Sequence, residues 1–128
     1  MLIRYKRNQE KIAMGLLSFM PEERDVRILQ ETMYSYTNDE NCHLYLLKEA
    51  NDFIGAIGVK IKDDMTAIIQ HVSVIPSYRS KGNARKMIKE LSLIYKKDYK
   101  LCSTVDTDQL INKCLDNSEF ETLQETRP

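Results

Sequence analysis

The sequence predicts an α/β (α+β) domain with a mixed central sheet and the element order β-α-α-β-β-β-α-β-α. Three observations carry this. Apolar residues recur at helical spacing in two early segments and one late one. Between them lie three strand-like runs separated by turn residues, the pattern of an antiparallel meander. The third run enters a short loop and a helix, and another strand follows, so these two strands pair in parallel.

Residues 2–5 open the chain as a short strand. Ile12, Leu16, Leu17 and Met20 form the stripe of a first helix, which Pro21 closes. Val26, Leu29, Met33 and Tyr36 repeat the stripe in a second helix, and a polar loop at 37–41 ends it. Strands at 43–49 and 53–61 are joined by Ala50, Asn51 and Asp52, a hairpin signal. Gly55 and Gly58 inside the second of these strands point to a bulge or to a close backbone approach. A turn at 62–65 leads to the third strand of the meander, 66–75, with Asp63 and Asp64 at its solvated tip. Ala84, Met87, Ile88, Leu91 and Ile94 make the buried stripe of a long helix. Residues 100–105 return as a strand, and 108–115 form a short helix with Thr107 or Asp106 as its N-cap. Residues 116–128 are a polar, acidic tail expected to be poorly ordered. The domain therefore runs from 1 to 115.

A chain of 128 residues, 42% of them apolar, is long enough for one domain with a real core. No run of about 18 apolar residues exists, so no membrane partner is expected. The N-terminus lacks the apolar stretch of a secretory signal. Cys42, Cys102 and Cys114 are odd in number and lack metal-ligand spacing, so they read as reduced thiols of a cytoplasmic protein, with no metal expected. The 19 basic and 19 acidic residues cancel, but unevenly. Between Arg79 and Lys100 lie eight Lys or Arg against Glu90 and Asp98. A basic helix can serve nucleic acid. This patch is short and has no aromatic interleaving, so no nucleic-acid partner is expected, and a compact phosphorylated ligand explains it better.

The stretch from Val72 to Lys86 says most. It reads as a buried strand, a sharp loop and the start of a basic helix. Such an arrangement points backbone N–H groups at one spot with the helix dipole behind them, which suits a diphosphate. Gly82 permits unusual torsions, and Ala84 keeps the helix start small. Arg79, Lys81, Arg85 and Lys86 surround the spot with positive charge. The alternative is an ordinary strand-to-helix turn with a solvated basic face.

The pattern Arg79-x-x-Gly82-x-Ala84 after Val74-x-Pro76 resembles the coenzyme A pyrophosphate loop of the GNAT superfamily of N-acetyltransferases. Asn83 departs from the apolar residue usual there. The resemblance implies the GNAT fold, short of its last one or two strands. It implies acetyl-CoA as cofactor and direct acyl transfer to an amine. Ser80, Lys81, Gly82, Asn83, Ala84 and Arg85 would then hold the pyrophosphate, with Arg79 adding charge. Backbone groups of Val72 and Val74 would pair with the pantetheine arm like an added strand. An N–H of Val72 or Ser73 would stabilise the oxyanion. Thr104 falls where relatives place a pantetheine-binding Asn.

Proton handling departs from that pattern. Relatives place a Glu on the strand before the loop, where this chain has Gln70 and His71. Gln cannot act as a base, whereas an imidazole with an intrinsic pKa near ~6.5 can. The alternative for His71 is a core histidine bonded to a backbone carbonyl. Ile111 stands where relatives use a Tyr as general acid. A thiol pKa near ~8.5 makes that acid dispensable at some cost in rate.

A narrower likeness joins residues 11–21, 55–59 and His71-x-Ser73-Val74 to small acetyltransferase-like proteins encoded with bacterial riboflavin-synthesis genes. It implies a bacterial protein linked to flavin metabolism. Three functional readings follow. They are an N-acetyltransferase acting on a small-molecule or protein amine, a non-catalytic CoA-binding module, and an interaction protein with a vestigial site. Either a monomer or a homodimer fits the sequence.

Overall fold

The computed structural model describes residues 1–62, 65–104 and 107, and the backbone of 121–122. Its elements are β1 (Leu2–Arg4), α1 (Glu10–Leu17), α2 (Val26–Asn38), β2 (Cys42–Glu49), β3 (Asp52–Lys62), β4 (Thr66–Val74), α3 (Asn83–Tyr95), β5 (Lys100–Ser103) and β6 (Glu121–Thr122). Short 3-10 turns stand at Arg7–Gln9, Pro21–Glu23 and Pro76–Tyr78. The six strands form one sheet in sequence order, antiparallel from β1 to β4 and parallel from β4 to β6. Through β5 this is the expected mixed α+β order, whereas β6 corrects the expectation of a sheet without a later strand, since it comes from the segment read as a polar tail and pairs in parallel with β5. The short helix expected at 108–115, Ile111, the Asp63–Asp64 tip and the tail apart from β6 lie outside the described residues.

Each face of the sheet carries its own core. Ile57, Ile69 and Val72 meet Met87, Ile88 and Leu91 of α3 on one side. Leu44, Leu46 and Ala56 meet Leu16, Leu17 and Met33 of α1 and α2 on the other. Burying about fifteen large side chains this way, at roughly 1.5–3 kcal/mol each, drives the chain together.

The helical stripes shift slightly from the sequence reading. Ile12, Val26 and Ile94 are exposed at 41%, 63% and 49%, while Ala13 and Tyr95 are buried instead. Ala13 and Tyr95 take the inner places expected of Ile12 and Ile94, one residue on, whereas α2 keeps Leu29, Met33 and Tyr36 inside and leaves only its first residue, Val26, outside. Asp25 caps α2 by accepting from the Arg27 N–H at 2.8 Å.

Two irregularities position the site. The β3–β4 register slips between Gly58 and Val59, so Gln70 is the extra residue of a bulge in β4. A Cβ at Gly58 would overlap the Tyr36 hydroxyl, and one at Gly55 would lie 2.9 Å from the Ser73 carbonyl oxygen. The close approach expected at both glycines is therefore present. Second, among the described residues β5 pairs with β4 from Thr66 to Ile69 and no further, although β4 runs on to Val74. Thr107 holds the parting point, its Oγ1 donating to the Ile69 carbonyl at 2.8 Å.

Candidate functional site

Beyond β4 the chain turns through Pro76–Tyr78 and then through two left-handed residues, Ser80 at φ 63° and Gly82 at φ 82°. A left-handed serine costs about 1–2 kcal/mol, so the loop holds a local strain. Gly82 is the N-cap of α3, and no side chain caps that helix. The first backbone bond of α3 runs from the Lys86 N–H to the Gly82 carbonyl at 3.0 Å. Earlier N–H groups have no carbonyl inside the helix to meet, so they project from its end together with its positive dipole.

The loop is braced by its own side chains. Asn83, 8% exposed, donates its amide to the Tyr78 carbonyl at 2.9 Å. That bond gives a polar residue a purpose at a position where the resemblance implies an apolar one. Arg79 Nε donates to the Val74 carbonyl at 2.9 Å. Lys81 Nζ stands 5.6 Å from the centre of the Tyr78 ring. Arg85 and Lys86 are exposed on the first turn of α3.

Register decides which β4 groups face the edge that β5 leaves. The Ile75 N–H bonds the Ile54 carbonyl, so alternate residues, including Ser73, turn their backbone toward β3. Val72 and Val74 turn theirs the other way. This corrects the expectation for Ser73, whose N–H faces β3 and whose hydroxyl donates to the Leu16 carbonyl at 2.5 Å. The edge N–H at the expected oxyanion position is therefore that of Val72. Val74 offers its N–H to the edge, since its carbonyl accepts from Arg79. Thr104 is 5% exposed, and its hydroxyl accepts the Thr107 N–H at 3.3 Å. The N-cap expected at Thr107 or Asp106 belongs to the helix at 108–115, which lies outside the described residues.

His71 is 2% exposed and sits under the α1–α2 connection. Its Nε2 lies 2.8 Å from Glu23 Oε1, and its Nδ1 lies 2.5 Å from the Tyr36 hydroxyl. Gln70 Nε2 donates to the Tyr36 oxygen at 3.0 Å. Thr32 donates to Glu23 Oε2 at 2.9 Å, and Glu23 is 0% exposed. The two candidate side chains are thus brought together through a third residue. His71 is bonded by side chains on both nitrogens, and no backbone carbonyl is needed to satisfy it. Glu23 and Tyr36 were not singled out for function in the sequence. The available signals were an acid just after Pro21, where a helix has ended, and a Tyr opposite a strand glycine.

A second polar group lies on the α3 side. His43 Nδ1 stands 2.5 Å from the Tyr95 hydroxyl, which is 2.9 Å from that of Tyr45. Burial, and then the nearby Arg4 cation, hold the His43 pKa below its ordinary value. Burial and the Tyr45 hydroxyl push the Tyr95 phenol up. Burial, with Asp39 close by, raises the Cys42 thiol to about 11. Among the described residues, no cluster of His, Cys, Asp and Glu could hold a metal ion.

The model of the Acetyltransferase (GNAT) family matches residues 6–112. The chain belongs to the GNAT family of acetyltransferases. It is 48% identical over 114 residues to an uncharacterized N-acetyltransferase in the lysA 3′ region of Bacillus methanolicus, covering 89% of this chain and 94% of that one. A GNAT family acetyltransferase from Elizabethkingia anophelis with acetyl-CoA bound has the same fold, with a TM-score of 0.64 at 20% identity. That match covers 79% of this chain, which spans 61% of the Elizabethkingia protein's length. An aminoglycoside acetyltransferase from an uncultured soil sample, in complex with sisomicin, gives a TM-score of 0.72 at 14% identity, covering 100% of this chain and 94% of that one. Acetyl-CoA is the ligand of the Elizabethkingia protein, whose fold is shared by this chain. Among its described residues, no helix is long and apolar enough to cross a membrane.

Proposed function

We propose that this GNAT protein transfers the acetyl group of acetyl-CoA to a small-molecule or protein amine. The observation that carries the reading is the parting of β5 from β4 at Ile69, directly before a loop whose left-handed Ser80 and Gly82 turn into an uncapped α3. The gap suits an extended pantetheine arm, and the loop suits its pyrophosphate. In this assignment the backbone of Ser80, Lys81, Gly82, Asn83, Ala84 and Arg85 holds the phosphates, with Arg79 and Lys86 adding charge. The edge groups of Val72 and Val74 hold the arm, and the Val72 N–H meets the oxyanion. Thr104 stands beside the arm at the parting point. Gln70 and His71 are the catalytic candidates on β4. The acid and base positions depart from the family pattern in this reading.

The likeness of residues 11–21, 55–59 and 71–74 to RibT supports a link to riboflavin metabolism in a bacterial cytoplasm. A mass-spectrometric screen of amines with acetyl-CoA, flavin precursors included, tests both parts. Acetylated amines outside flavin metabolism alone would remove the riboflavin link. The engagement of both His71 nitrogens in the interior favours a second reading, a non-catalytic CoA-binding regulatory module. That reading gains if acetyl-CoA binds in calorimetry and no amine is acetylated.

A further inference from the structure

We propose that Glu23, His71 and Tyr36 form a proton relay whose outer end, the Tyr36 hydroxyl, takes the proton from the attacking amine. The inference rests on the transferase reading above.

Hydrogen-bond directions define the relay. Thr32 Oγ1 and the Gln70 amide are donors, to Glu23 Oε2 and to the Tyr36 oxygen. With Glu23 ionised its carboxylate can only accept, and the 2.8 Å contact then places a proton on His71 Nε2. In the neutral ring Nδ1 is then an acceptor, and the Tyr36 O–H donates to it. An acid orients an imidazole, and the imidazole stands ready to take a hydroxyl proton. This is the logic of a catalytic triad with a phenol at its end.

Three further observations favour a working relay over a packing device. Glu23 and His71 are almost fully buried, and a buried titratable pair is a weak means of stabilising a fold. Gly58 leaves the volume that the Tyr36 hydroxyl fills. Gln70, which bonds that hydroxyl, is the bulged residue immediately after the last β4–β5 pair and two before Val72. The phenol therefore comes to the level of β4 where the acetyl group would lie.

The step balances without another reagent. The amine nitrogen attacks the thioester carbon, and the carbonyl oxygen becomes an oxyanion. One N–H proton passes to the Tyr36 oxygen as the Tyr36 proton passes to His71 Nδ1. Glu23 stabilises the resulting imidazolium. Collapse of the intermediate breaks the C–S bond, and the stored proton returns through Tyr36 to the thiolate. An amide and CoA leave, and the relay is restored. Tyr36 is the catalytic residue of this scheme, with His71 and Glu23 acting through it.

The test compares wild type, Tyr36→Phe and Glu23→Gln with an amine found in the screen. Tyr36→Phe keeps the ring, and Glu23→Gln keeps an acceptor for Nε2–H. We expect kcat to fall by roughly 10²–10⁴ in Tyr36→Phe and at least about tenfold in Glu23→Gln. KM for acetyl-CoA and its calorimetric affinity should stay within about twofold of wild type. Tyr36→Phe with kcat within about threefold of wild type overturns the relay and leaves the transferase standing. Loss of acetyl-CoA affinity in parallel with kcat also overturns it, by showing a structural role. A wild type that binds acetyl-CoA and acetylates no amine overturns the transferase reading, and the relay falls with it.

Discussion

Replacing Gly58 with Ala should destabilise the fold by an amount set by one residue on another element. The new methyl would overlap the Tyr36 hydroxyl, so either the tyrosine or the β3 backbone opposite the β4 bulge has to move. Overpacking of this kind costs about 1–3 kcal/mol. Displacing the phenol also breaks its bonds to His71 and Gln70, at about 1 kcal/mol each. The sum is roughly 3–5 kcal/mol, a large share of the stability of an ordinary domain. With a urea m-value of about 1.5 kcal/mol per molar, the midpoint should fall by roughly 2–3 M. Tyr36→Leu removes the obstacle, so Gly58→Ala made on that background should cost less than about 1 kcal/mol. The double-mutant cycle should then give a coupling of about 2–4 kcal/mol between β3 and α2. A Gly58→Ala midpoint within about 0.5 M of wild type, at unchanged m, would refute the reasoning, as would additive effects in the cycle.

Gly82→Asp should abolish CoA binding in calorimetry by placing a carboxylate at the head of α3. Its Tm should drop by a few degrees, because a residue with a Cβ at φ 82° costs about 1–2 kcal/mol even though no atom lies within 4 Å of the new Cβ. CoA affinity should weaken with salt, and dephospho-CoA should bind more weakly than CoA if Lys81, Arg85 and Lys86 read the 3′-phosphate. Equal affinities would remove that role. Stability should fall as pH rises between about 9 and 11, since the unfolded chain loses the Cys42 proton from its ordinary value of 9.0 while the fold keeps it to about 11. It should also fall as pH drops below 6.5, because the unfolded chain protonates His43 more readily than the fold does. Urea midpoints measured across that range check both limbs, and Cys42→Ala should flatten the alkaline one.

Local chemistry made most of the fold legible. The turn residues at 50–52 and the strand–loop–helix run from Val72 each fix geometry through their neighbours in sequence. The loop glycine with φ 82° is a case where one residue type announces its own torsion. Helix faces were legible only to within a residue. Ile12 and Ala13 are both apolar, and only the sheet beneath decides which turns inward. Glu23, Tyr36 and His71 were harder for another reason. Their partners lie 35 and 48 positions apart in the chain, and a tyrosine on an apolar stripe looks like packing until its hydroxyl is placed. Ser73 shows the converse. Its type and position suited an edge role, and a bulge three residues earlier set its backbone toward β3.

Among the described residues, the end of β4 is a sheet edge that β5 does not cover, and such edges recruit strands from other molecules. Arg79 guards it. Its Nε occupies the Val74 carbonyl that an incoming peptide N–H would need, and its guanidinium leaves a charge beside the edge. A neutral strand from another chain would meet a blocked acceptor and a cation it cannot neutralise. A ligand that carries its own phosphates brings the counter-charge with it. The same side chain thus disfavours pairing with a neutral strand along this edge and suits an extended molecule that carries its own phosphates.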